Sequence, residues 1–203
     1  MSEAVQHPTE VFESWSREDS DEELLRAIKQ YARDVVGQTD LDVDLDMVKE
    51  WSLNNKKRSA AFVNAYKLPL MADVGDPVDE YGGTELSSVK RFGECNIEFS
   101  RLAFEAHDTE NCKDTIRHEL IHVEEKQEGR RGGRSHHDWW FESRAKDLDV
   151  SGDCEQFVPY KYPFVCPSCD DQHGGRFQMC DTVKTVQNGG KRCRCGGILE
   201  VAE

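Results

Sequence analysis

The sequence predicts an α+β chain in two parts, a mixed body followed by a small cysteine-rich, β-rich module. Three observations predict it. Apolar residues recur at helical spacing, behind recognisable start signals, over 20–37 and 109–127. Short strand-like runs lie between these helices among turn residues. At the C-terminal end, two close cysteine pairs flank a polar segment.

In the first helix Ser20 and Glu23 form a capping box, Leu24, Leu25, Ile28, Tyr31, Ala32 and Val35 share one face, and Gly37 is the expected stop. Residues 39–48 alternate Leu41, Val43 and Leu45 with aspartates, which predicts a strand. Residues 58–70 and 93–100 read as further strands, separated by the turn-rich stretch 75–85. The second long helix, 109–127, takes Thr109 as N-cap and Cys112, Ile116, Leu120 and Val123 as its apolar stripe. After a Gly/Arg-rich loop, Phe141, Ala145 and Leu148 stand at helical spacing in a third helix. Residues 1–19 read as an acidic flexible leader, 20–157 as the main domain and 158–203 as the terminal module.

The 203 residues carry 40 acidic against 26 basic side chains, a net charge of −14, and 37% are hydrophobic, so the core is modest. The charge is uneven: residues 1–50 hold 14 acids and 5 bases, residues 159–203 hold 5 and 6. A proteome adapted to high salt gives such a balance. No run approaches the ~18 apolar residues of a membrane helix, and the N-terminal stretch lacks a basic-then-apolar signal pattern. The expected location is the cytoplasm, with no membrane partner. In that compartment eight cysteines point to metal or free thiols rather than disulfides.

The chemistry concentrates at residues 117–141, RHELIHVEEKQEGRRGGRSHHDWWF. Residues i and i+4 of a helix project from one face, so His118 and His122 can offer two imidazoles to one ion. Zinc accepts imidazole nitrogens, and a catalytic zinc takes three protein ligands with one position open. Glu119 stands where, in this H-E-x-x-H motif, a carboxylate acts as general base. A third ligand at the end of an extended H-E-x-x-H-x-x-G-x-x-H pattern is excluded, because Glu125 and Glu128 occupy the required Gly and His positions. Glu142, His136 and His137 compete for the role.

The stretches DTIRHELIHV and SHHDWWF resemble the SprT-like (Spartan) metalloprotease family, whose helix carries H-E-x-x-H and whose next helix opens with H-G-x-x-F. Setting Phe141 on that motif's phenylalanine makes His137 the third ligand, with Asp138 in place of the usual glycine. CNIEFSRLAF, followed by DTIRHELIH, is similar to the family's order of strand, serine, short helix and active helix. The resemblance covers roughly residues 20–200. It implies a zincin-like domain, a few-stranded sheet packed on an active-site helix, with a catalytic zinc. It further implies proteolysis of proteins trapped on DNA, so the expected partners are a protein substrate and single-stranded or damaged DNA.

Cys166 and Cys169 form a C-x-x-C knuckle, and Cys193 and Cys195 a C-x-C knuckle followed by Gly-Gly. Two such pairs are the pattern of a zinc ribbon with four thiolates on a structural zinc; members of the SprT-like family often end in one. Cys180 or His173 can replace Cys193. Cys95 and Cys112 read as core residues. Arg130, Arg131 and Arg134 beside Trp139 and Trp140 offer phosphate contacts and base stacking. A zinc-containing nucleic-acid-binding or regulatory protein that cleaves nothing is therefore the competing reading, and Glu119 argues against it.

Overall fold

The computed structural model describes residues 19–57, 59–82, 86–130, 137–151 and 157–202. The leader, up to residue 18, lies outside them. The chain is mixed α+β and divides into two compact units, residues 1–157 and 158–203.

The first unit runs α1 (Asp21–Gln38), β1 (Val48–Asn54), β2 (Ala61–Ala65), β3 (Cys95–Ser100), α2 (Arg101–Ala106), α3 (Thr109–Gln127) and α4 (Trp139–Asp147). Its sheet has the order β1-β3-β2, with β1 parallel and β2 antiparallel to β3. The central strand β3 buries Cys95, Ile97 and Phe99 on a core shared with Leu24 and Ile28 of α1 and Ile116, Leu120, Ile121 and Val123 of α3. Each such side chain contributes about 1.5–3 kcal/mol relative to exposure. Helix α3 is the hub, packing on α1, α4, β2 and β3.

Local chemistry sets the boundaries. The Ser20–Glu23 capping box opens α1. Gly37 does not close it; the helix runs on to Gln38, and Thr39 ends it by returning its N–H and its hydroxyl to the Val35 carbonyl. Ser100 ends β3 and caps α2 through the Ala103 N–H, while its own hydroxyl donates to the Lys57 carbonyl. The N-cap of α3 is Asp108, which accepts from the Asn111 N–H, so Thr109 is its first residue rather than its cap. Gly129, at φ +66°, turns the chain out of α3; a Cβ there would stand 2.8 Å from a Val74 methyl.

The strand expected over 39–48 is absent. Leu41 and Val43 are buried as the alternation requires, but residues 45–47 form a 3-10 turn and the strand starts at Val48. The backbone of 42–44 finds its partners in α3 side chains instead of a ladder. Glu124 accepts from the Asp42 N–H, and Gln127 bonds both the N–H and the carbonyl of Asp44.

The second unit holds β4 (Tyr162–Val165), β5 (Gln172–Arg176), α5 (Asp181–Gln187) and β6 (Glu200–Val201), in an antiparallel sheet of order β5-β4-β6. The helix α5 departs from the β-rich expectation. Val183 and Val186 on it join Phe164 and Leu199 to make the small core.

One buried ion pair locks the first unit. Glu124, 2% exposed, accepts from Arg144 Nε at 2.9 Å and Nη2 at 2.8 Å, while Arg144 also reaches the Asp40 carbonyl and carboxylate. Removing one partner of a buried pair strands the other. Arg144→Ala is therefore expected to cost about 3 kcal/mol in a denaturant titration. A loss below about 1 kcal/mol would assign the pair to the weak surface class.

Candidate metal centre

Helix α3 presents His118, Glu119 and His122 from one stretch of its surface, and the turn into α4 presents His137. The three imidazoles each offer a nitrogen within 4.8 Å of the others. Their ring centroids stand 4.9–5.4 Å apart. Phe141 supports all three, with its ring 4.8 Å from His118, 4.6 Å from His122 and 4.3 Å from His137. Asp138, in the place of the glycine, accepts from the Trp140 and Phe141 N–H groups and so caps α4. That cap fixes the start of the helix two residues after His137.

Two of the rings are oriented from behind. His118 Nδ1 lies 3.3 Å from the Ser151 carbonyl, and His122 Nδ1 lies 3.1 Å from the Glu125 carboxylate. Contacts at Nδ1 orient the rings from behind, a usual arrangement behind metal-bound histidines. Burial pushes the Glu125 carboxyl up, but its bond to His122 and the neighbouring Lys126 outweigh that and hold it below the usual carboxylate range.

Glu119 is 4% exposed, and its Oε2 has no hydrogen-bond partner among the described residues. Burial pushes its carboxyl up to about 8, against the pull of the Lys57 ammonium and the Val63 N–H. A buried carboxyl with an unused oxygen beside three imidazoles suits a cation site. A cleft of about 470 Å³ opens over this group, lined by residues 59–65 with His118, Glu119, His122, Lys126 and His137. Strand β2, the edge of the sheet, therefore forms one wall.

Of the competing third ligands, His137 joins the group, Glu142 is exposed and outside it, and His136 lies outside the described residues. Arg131, Arg134 and Cys154 also lie outside them. Arg130 is described, stacked 4.1 Å over the Trp140 ring and paired with Glu128; Trp139 is 75% exposed.

In the second unit Cys166, Cys169, Cys193 and Cys195 form one group. The Cys166–Cys195 and Cys169–Cys193 sulfur distances are 3.5 and 3.6 Å. Tetrahedral zinc with bonds of about 2.3 Å needs sulfurs roughly 3.8 Å apart, so the donor set fits zinc closely. For Cys166, burial works upward, but the Ser168 N–H and the Cys195 and Cys169 thiols win and lower it to about 7. The C-x-C knuckle is built by Gly196 at φ +91° and by Gly197, whose Cβ would stand 2.8 Å from Cys166 Sγ. Cys195 N–H points at Cys193 Sγ at 3.4 Å. Cys180 stands apart as the N-cap of α5, and His173 groups with Asp171 and Cys193 rather than replacing a cysteine.

Sequence reasoning did not assign Phe141 its supporting place, nor single out Glu125, Ser151 or the β2 wall. Glu125, three residues after His122, was the one detectable signal, since i and i+3 side chains meet on a helix. Comparison of the chain with models of known families, with curated proteins and with solved structures found no match. The two donor groups define a protein able to hold two metal ions, one on imidazoles and one on thiolates. Among the described residues no helix is long and apolar enough to cross a membrane.

Protein purified without chelator is expected to contain about two zinc ions per chain by elemental analysis. His137→Ala should lower that by one and Glu142→Ala should not; the reverse outcome would move the third ligand to Glu142. Cys166→Ser should make residues beyond 158 sensitive to protease while the histidine-bound metal survives. An unchanged digestion pattern would leave the four sulfurs as free thiols.

Proposed function

We propose that the chain is a zinc-dependent endopeptidase of the SprT-like kind, built on a zincin-like domain with a C-terminal zinc ribbon. One observation carries the reading: a buried carboxylate, Glu119, stands beside three convergent imidazoles on the floor of a cleft walled by a free strand edge. His118, His122 and His137 would hold the catalytic ion, and Cys166, Cys169, Cys193 and Cys195 the structural one. A zinc ion bound to the imidazoles supplies Lewis acidity, lowering the pKa of water and polarising a carbonyl.

The chain's own residues do the rest. Glu119 takes the proton as water attacks and returns it to the leaving amine. Phe141 with Ser151 and Glu125 keeps the imidazoles aimed. The outer edge of β2 has no strand partner among the described residues. An extended segment can add there through main-chain hydrogen bonds, which select chain conformation rather than sequence.

The SprT-like resemblance points to proteins bound or crosslinked to DNA as substrates. Trp139, exposed on the turn of helix that follows His137, and Arg130 nearby on Trp140 support a stacking and phosphate-binding surface beside the cleft. A net charge of −14 opposes such binding at low salt. In molar salt screening shortens to about 3 Å and local contacts decide.

Glu119→Gln keeps the size of the side chain and removes the base. The variant is expected to keep both zinc ions and its thermal midpoint, and to lose about 10²–10⁴-fold in cleavage rate. The assay is cleavage of a DNA-bound protein in high salt, with chelator-treated wild type beside it. A variant that cleaves as fast as wild type would remove Glu119 as base and the peptidase mechanism with it.

A further inference from the structure

We propose that Lys126 makes the cleft selective for peptides bearing an acidic side chain about two residues N-terminal to the bond that is cut. The inference rests on the peptidase reading and extends it to a class of substrate.

Lys126 follows His122 by four residues, so it projects from the same face of α3 about one turn, or ~6 Å, further along. It lines the same cleft as the three imidazoles and Glu119. The other side chains along that wall, from residues 59–65, are apolar apart from Ser59 and Asn64. Lys126 is thus the cation among the described lining residues. Its ammonium lies 3.3 Å from Glu125 Oε2, the same oxygen that His122 Nδ1 engages at 3.1 Å. An ammonium has three N–H donors, so this pairing leaves it donors for a second carboxylate. Lys57, near Glu119 but not among the described lining residues, is paired with Glu98 at 2.8 Å, and Asn54 bonds the same carboxylate.

Direction follows from the strand. Glu119 lies near the Val63 N–H, in the middle of β2. The Lys126 charge reaches Cys95, the partner of Ala65 at the end of β2. Running along β2 from Val63 to Ala65 therefore leads from the catalytic carboxylate towards Lys126. A segment added antiparallel to β2, the better-bonded arrangement, runs the other way. Its N-terminal residues then lie at Lys126. From Val63 to Ala65 is two residues of extended chain at ~3.3 Å each, which sets the offset along an added strand. An aspartate or glutamate there meets a half-exposed ammonium, and the dominant interaction is charge complementarity.

A purely structural Lys126, present only to hold Glu125 against His122, would discriminate nothing in the substrate. The test is a set of peptides identical except for Glu, Gln or Lys two residues before the cleaved bond, and a second set varied two residues after it. With the full-length zinc-loaded chain, kcat/KM is expected to be about tenfold higher for Glu than for Gln in the first set. No such difference is expected in the second. Lys126→Gln should abolish the preference, and Lys126→Glu should reverse it in favour of the Lys peptide, with zinc content checked in each. Binding of the same peptides to the Glu119→Gln variant, read by fluorescence anisotropy, gives the selectivity without turnover. Selective binding that is lost in Lys126→Gln, with no cleavage by wild type, would refute the peptidase reading and keep only Lys126 as the acid-selective contact of the cleft. Equal binding and cleavage of the Glu and Gln peptides, a preference confined to the second set, or no peptide binding would overturn it.

Discussion

Glu124 stands two residues beyond His122 on α3, about 200° around the helix, so it faces away from the cleft and into the body. There it accepts a two-pronged grip from Arg144 on α4 and an N–H from Asp42, in the segment that follows α1. Three pieces of chain meet on one carboxylate. The candidate site depends on that junction because its ligands come from two helices. His118 and His122 are fixed to each other by helical geometry alone, but His137 precedes α4 and is placed only as well as α4 is docked. An apolar contact at the junction would hold the helices together and leave them free to slide. A fork bonded at two oxygens has one register. Such a pair adds little net stability over a well-packed apolar one, and its value here lies in the orientation it imposes.

The opposite face of α3 shows the same division of labour. Phe141 fills the space behind the three imidazoles, while Glu125 and the Ser151 carbonyl set two ring directions. Four consecutive residues of α3, Val123 to Lys126, thereby serve the core, the helix junction, ligand orientation and the cleft wall in turn. Successive residues point about 100° apart, so one short stretch can meet four environments.

Much of this was legible because it is local. The capping box at Ser20, the apolar stripe of α3 and the i, i+4 histidines are set within one helix, and the spacing of the cysteine knuckles within one short loop. The strand expected over 39–48 failed for a non-local reason. The Leu41–Leu45 alternation correctly marks the buried residues Leu41 and Val43, but ladder bonding was inferred where Glu124 and Gln127, over eighty residues away, supply the partners. Thr109 suits a cap by type, but Asp108, one residue earlier and equally suited, takes the place, a choice between neighbours that residue type alone does not make. The choice between His137 and Glu142 was undecidable from spacing, since it turns on how α4 docks.

The two donor groups sit in units of different self-sufficiency, and this separates their roles. The imidazoles are mounted on a helix whose other faces bury Ile116, Leu120, Ile121 and Val123 in a core of more than twenty residues. That core has ample apolar area of its own, so an ion held by the imidazoles would not be needed for folding. Among the described residues the apolar core of the second unit has six buried members, and two of them, Cys166 and Cys193, belong to the four-sulfur group. Remove the ion, and a third of that core becomes thiols pressed together at 3.5–3.6 Å from their neighbours. With so little apolar area to offset chain entropy, metal binding and folding become one event. The same element would thus act as reagent in one unit and as core in the other, and the surrounding apolar area decides which.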